Sequence, residues 1–259
     1  MRGYVVILRR EVFTLFLSPA TYLAGFYFLA LLGVGFRFFL ETFLHTHWIL
    51  PPLSSLAAAL VFGSPALVPF LTMRSLAEER RLGTLETLLA TPVSPAAVTI
   101  SKWTASYLFF LFLCLTAFGY PLLTSWLYPV ETAGLRLLEP AQLIGCALYL
   151  AAVGAAFTAI GIFSSAVTQN QMVAGMLAFS LITLHLALMT FFHGSNPVSA
   201  NDSFLHTFLR EATGSLTSGL DKLEHFVLGA PELKTLIHFF VTTALFLGLA
   251  TLATGRSAK

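Results

Sequence analysis

Six runs of apolar residues, at 22–40, 53–73, 103–128, 141–163, 172–192 and 235–253, set the terms on which this chain can fold. Each meets or approaches the length of about 20 residues that a helix needs to cross roughly 30 Å of hydrocarbon. The runs are continuous rather than alternating. Lipid offers backbone N–H and C=O groups no partner, so the expected spanning elements are helices, not strands. The composition agrees: 57% of residues are hydrophobic, 10% are charged and 25 are Phe. Mean hydropathy is +0.83, too apolar for a chain that must cover itself with polar surface in water. The expected fold is therefore all-α, one polytopic membrane domain over residues 1–259 with six transmembrane helices. Gly63, Pro65, Pro69, Gly119, Pro121, Gly154 and Gly161 fall inside the runs, where they predict kinks or close helix contacts.

Several function classes drop out. A net charge of +2 with no Lys/Arg cluster gives no footprint for nucleic acid. Cys114 and Cys146 sit in apolar stretches and read as small hydrophobes rather than a disulfide or metal pair. Arg9, Arg10 and Glu11 interrupt the N-terminal apolar run, and no small-residue cleavage site follows, so a signal peptide is not expected. No nucleophile–base or paired-carboxylate set shares a depth, so no catalytic residue is assigned. A phosphate loop needs G-x-x-x-x-G-K-[ST]; the nearest stretch, Gly214 to Gly219, is followed by Leu220, and no cofactor site is expected in this chain. The histidines at 45, 47, 185, 193, 206, 225 and 238 all fall in the outer half, where they read as interfacial anchors, and no metal site is assigned.

Loop charges set the expected orientation. With the N-terminus inside, Arg2, Arg9, Arg10, Arg74, Arg80, Arg81, Lys102, Arg256 and Lys259 are cytoplasmic, against Arg37, Arg136, Arg210, Lys222 and Lys234 outside. Both termini are then cytoplasmic. Residues 1–18 predict an interfacial amphipathic helix: Val5, Leu8, Val12, Leu15 and Phe16 form a stripe, Arg9, Arg10 and Glu11 lie mostly off it, and Ser18-Pro19 ends it. The outer loop, 193–233, carries two short apolar stripes, through Phe204, Leu205, Phe208 and Leu209 and through Leu216, Leu220, Leu223 and Val227. Two helices resting on the membrane surface are expected there rather than a folded domain.

Against this greasy background, residues 74–94 form a charged island. Glu78, Glu79, Arg80, Arg81 and Glu86 crowd into one short cytoplasmic loop. The spacing predicts a charged extension of the second span to Arg81, a turn at Gly83, and a new short helix capped by Thr84 with Glu86 at its positive end. Leu85, Leu88 and Leu89 share one face of it, and Thr91-Pro92 stops it. Ser94-Pro95 then reads as the cap and first residue of the next helix.

The phrase PFLTMRSLAEERRLGTLETLLATPVS resembles the loop of integral-membrane permeases of type-2 (exporter-class) ABC transporters, closest to the gliding-motility and copper-processing branch. Glu78, Glu79, Arg80, Gly83, Thr84, Leu85, Glu86, Leu88, Leu89, Pro92 and Ser94 follow the family pattern in order, and SSAVTQNQMVAG at 164–175 is similar to its turn between spans four and five. The resemblance implies a coupling helix that docks on a separate cytoplasmic ATPase subunit. Glu78, Glu79, Arg80, Arg81, Gly83, Thr84, Leu85, Glu86, Leu88, Leu89 and Pro92 would make that contact, with Gln169, Asn170 and Gln171 as a second one. It further implies a permease of a bacterial inner membrane, dimeric with a second copy or a paralogue, with ATP bound only by the partner. The alternative is a membrane scaffold that recruits an ATPase without moving a solute.

Overall fold

The computed structural model describes residues 2–46, 52–90, 93–129, 139–191, 226 and 232–256. Among them the secondary structure is helical, with no strand. In chain order the helices are α1 (Arg2–Leu17), α2 (Pro19–Thr46), α3 (Pro52–Thr72), α4 (Ala77–Arg81), α5 (Thr84–Leu89), α6 (Pro95–Ala117), α7 (Gly119–Leu127), α8 (Pro140–Val167), α9 (Gln171–Phe191) and α10 (Leu233–Arg256). Six segments are long and apolar enough to cross a bilayer: Thr21–Thr42, Leu53–Arg81, Pro95–Leu127, Pro140–Val167, Gln171–Met189 and Leu233–Gly255. The expected outer-loop helices, the stop at Thr91-Pro92 and five of the seven histidine side chains (45, 47, 193, 206 and 225) lie outside the described residues.

The second and fourth spans form the centre. Their apolar windows are 67% and 61% buried, against 22%, 17% and 11% for the first, fifth and sixth, so those three ring the periphery. α8 packs on α10, α9, α3 and α6, while α1 leans along α6 and α2 along α3. Close approach needs small residues: a Cβ on Gly154 would run into the Phe110 ring, and one on Gly161 would come within 2.9 Å of the Thr72 Cβ. Tyrosine and tryptophan then bond backbone carbonyls across helices. Trp103 Nε1 donates to Ala155 O (3.1 Å), Tyr107 to Ala151 O (3.0 Å) and Tyr120 to Leu29 O (2.6 Å).

Prolines behave in two ways. Pro65 removes the N–H that would have bonded the Val61 carbonyl, and the neighbouring Ser64 hydroxyl donates to that oxygen instead (2.5 Å), so α3 continues. Pro121 sits four residues after Ala117, where its ring clashes with the helical carbonyl, and the third span breaks at Phe118 between α6 and α7. That span also starts earlier than its apolar run suggests. Ser94 caps it, its Oγ accepting from Ala97 N–H (3.3 Å), and Pro95 is its first residue, as the spacing predicted.

α1 departs from the expected stripe. Val5 is 57% exposed, whereas Ile7 is buried and Glu11, assigned off the stripe, faces the bundle. The packed face runs through Tyr4, Ile7, Glu11, Leu15 and Phe16; Phe16 meets Phe109 and Phe112 edge-on at 5.0 and 5.3 Å. A second apolar face, with Val5, Val6, Phe13 and Leu17, is left exposed. The helix is thus apolar on two sides, and what selects the packed one is the buried cation that receives Glu11.

Candidate functional site

Where α3 ends at Thr72, the chain makes a turn and then α4. The turn is held by a residue from the adjacent central helix, distant in sequence. Ser165 Oγ, near the end of α8, accepts from the backbone N–H of Leu76 and of Ala77 (3.0 Å each) and donates to Met73 O (3.3 Å). A single hydroxyl thereby satisfies two of the backbone donors at the start of a helix that has no side-chain cap of its own. Asn170, in the neighbouring turn, acts locally in a similar way: its Oδ1 accepts from Met172 N–H (3.0 Å) at the start of α9. Gln169 and Asn170 are exposed and Gln171 is half-buried beside them.

α4 itself is pinned at both sides. Lys102 Nζ, 2% exposed, donates to Glu11 Oε1 at 2.7 Å and to Glu79 Oε1 at 2.9 Å, joining α1, α4 and α6. The two carboxylates are 18% and 19% exposed, so the group is largely out of water and its geometry matters. Arg80 turns the other way, its Nη2 donating to the carbonyl of Ala253 in the last turn of α10 (2.7 Å). Within the Glu-Glu-Arg-Arg run, Glu79 and Arg80 reach to different helices, because consecutive helical side chains point in different directions. Glu78 is half-buried and Arg81 exposed.

Gly83 reverses the chain with φ +69°, a left-handed backbone that residues with a Cβ rarely adopt. It also occupies the N-cap position of α5. The expected Thr84 cap is therefore displaced: Thr84 is the first helical residue, and its hydroxyl donates to the Glu79 carbonyl (3.3 Å), at the end of the helix before. The leucine face is corrected too. Leu85 is 1% exposed, inserted among Ile7, Leu76, Val98, Ile162, Ala166 and Ala250, and Leu88 packs half-buried on the same cluster. This face holds α5 to its own chain, since those apolar side chains find a core nearer than any partner. What α5 and its lead-in present outward is Leu82, Thr84, Glu86 and Thr87. Pro92 lies outside the described residues, as does the side chain of Leu89.

The structure thus gathers the N-terminal helix, the 73–90 segment, the 168–170 turn and the end of α10 at one end of the bundle. A family model described as ABC-2 family transporter protein matches residues 51–214, which include α3 through α9 and the whole charged loop. The chain belongs to the ABC-2 transporter family. Comparison with curated proteins finds none that matches it. Membership makes the chain a multi-pass membrane component of an ABC transport system, not itself catalytic. The match leaves out α1 and α10, and with them Glu11 and Ala253, so two anchors of the ABC-2 loop come from outside the matched range.

Sequence reasoning missed Glu11, Lys102 and Ser165. A signal existed for one of them. Lys102 is a lone cation in an otherwise apolar helix, the kind of residue that marks a buried partner. Read as a loop charge it counts only towards orientation, because the apolar run of the third span begins just after it.

The remaining histidines pair up. His185 on α9 and His238 on α10 stack with centroids 5.3 Å apart and planes at 22°. Among the described residues no group of three or more His, Cys, Asp or Glu is placed to hold a metal.

Proposed function

We propose that this chain is the permease subunit of an ATP-driven exporter, nearest the gliding-motility and copper-processing branch, with its charged end in the cytoplasm of a bacterial cell. α5 is the coupling helix. A separate ATPase subunit docks on its outward residues, Leu82, Glu86 and Thr87, and on Gln169 and Asn170 of the neighbouring turn. The observation that carries this reading is the mounting of α5. It is exposed on one side, buried through Leu85 on the other, and joined through α4 to α1, α6, α8 and α10. A push on its outer face is passed to four helices, which is what a coupling element requires and a solvated hairpin does not.

The pathway is shared with a second copy or a paralogue, consistent with three spans that are mostly uncovered in one chain. ATP binds and is hydrolysed on the partner. Co-reconstitution with the cognate ATPase tests this. Glu86→Arg combined with Leu82→Asp changes only exposed side chains, so insertion and helicity stay intact while stimulated ATP hydrolysis and flux fall by about tenfold or more. Full coupling in that variant, or strong hydrolysis by the chain alone, overturns the assignment. ATP-dependent assembly without any flux favours the scaffold.

A further inference from the structure

Beside the Lys102 group lies a cleft of about 600 Å³, walled by α1, the end of α3, α4, α5 and the base of α6. Its lining changes along the chain in step with the end of the span. Phe70 and Leu71, in the last apolar turn of α3, line it together with Leu15 of α1, and Arg74 and Glu78, just past that turn, line it together with Arg10. The charges fall into two sets. Glu11, Glu79 and Lys102 satisfy one another. The side chains of Arg10, Arg74 and Glu78 make no ion pair or hydrogen bond among the described residues. Two unengaged guanidiniums and one unengaged carboxylate therefore share a cavity with the apolar side chains of Leu15, Phe70 and Leu71 and with several Ser and Thr hydroxyls, at the end of a membrane span.

We propose that this cleft holds the headgroup of a glycerophospholipid drawn from the leaflet at the charged end of the bundle. Arg10 and Arg74 take the phosphodiester, since guanidinium donors match phosphate oxygens. Glu78 takes a primary ammonium on the headgroup, and Leu15, Phe70 and Leu71 cover the first methylenes of the acyl chains. A free phosphate would use the arginines and leave the apolar wall wet; a lipid uses both. The inference rests on the chain's place in a membrane and not on the transport reading, so either can fail alone.

The test is native mass spectrometry of the full chain released from vesicles containing equal amounts of phosphatidylethanolamine, phosphatidylglycerol and phosphatidylcholine. The wild type keeps a bound phospholipid and prefers phosphatidylethanolamine. Arg10→Gln with Arg74→Gln lowers the retained fraction about tenfold or more, whereas Arg9→Gln, whose side chain lies over Phe13 and not in the cleft, leaves it unchanged. Glu78→Gln keeps total retention but loses the preference for the primary amine over choline. Retention unaffected by the double arginine change sinks the proposal, as does equal loss in the Arg9 control. Displacement of the lipid by millimolar inorganic phosphate assigns the site to a soluble anion. Loss of the lipid on adding the ATPase subunit assigns it to a protein segment.

Discussion

Replacing Lys102 by Met removes the centre of the Glu11–Lys102–Glu79 group and keeps the length of the side chain. In the folded protein Lys102 Nζ makes two short charged hydrogen bonds, 2.7 and 2.9 Å, at a site where it is 2% exposed. Hydrogen bonds to charged groups contribute about 1.5–3 kcal/mol each. Breaking a buried ion pair by removing one member costs about 3–5 kcal/mol, because the survivor stays desolvated without its partner. Here two survivors remain, both carboxylates more than four-fifths buried and turned towards the same vacated point, so the expected loss is in the upper half of that range. The loss is local before it is global: α1 and α4 release from α6 while the central spans stay packed. Hydrogen exchange at residues 77–82 and at α1 in nanodiscs reads this directly, as faster opening by about a thousandfold. The neutral triple variant, Glu11→Gln with Lys102→Met and Glu79→Gln, recovers most of the protection, because matched neutral groups do not need the ion. The reasoning fails if Lys102→Met exchanges like the wild type, or if the triple variant is no better than the single one.

Two further outcomes follow from the same loop. Ser165→Ala strips the acceptor from Leu76 N–H and Ala77 N–H, at about 1–3 kcal/mol for a buried unsatisfied group; exchange at those two amides rises roughly thirtyfold with little change elsewhere. Leu85→Ala costs about 2–5 kcal/mol by opening a cavity under α5, seen as a lower thermal midpoint and as protease cutting near Gly83, whereas exposed Glu86→Ala stays within about 0.5 kcal/mol of the wild type.

The spans were legible because length and hydrophobicity alone decide them; a helix that lipid must solvate carries its signature in every residue. Gly83 and Ser94-Pro95 were legible for a different reason, since turn and cap chemistry is local. The anchors of the loop were not. Ser165 is separated by 89 residues from the amide it holds, and nothing near either position announces the other. Periodicity placed Leu85 and Leu88 on one face correctly, but a face has no address: whether it meets a partner or its own core depends on Ile7, Val98 and Ile162, which only the fold brings there. Thr84 failed as a cap by one residue, because a left-handed glycine supplied the turn without needing a side chain.

The bond from Arg80 to the Ala253 carbonyl has a consequence for how the protein is made. It closes a loop of 173 residues, and its acceptor lies in the sixth span, which leaves the ribosome after the other five. Glu11 and Lys102 emerge long before, so α4 gains its fastening to Lys102, across 23 residues, well ahead of its bond to Ala253. A chain whose sixth span has not inserted therefore carries a charged loop held on one side and loose on the other. Until Ala253 arrives, Arg80 lacks this acceptor, and the segment is held only by Lys102, by Ser165 and by the residues packed around Leu85.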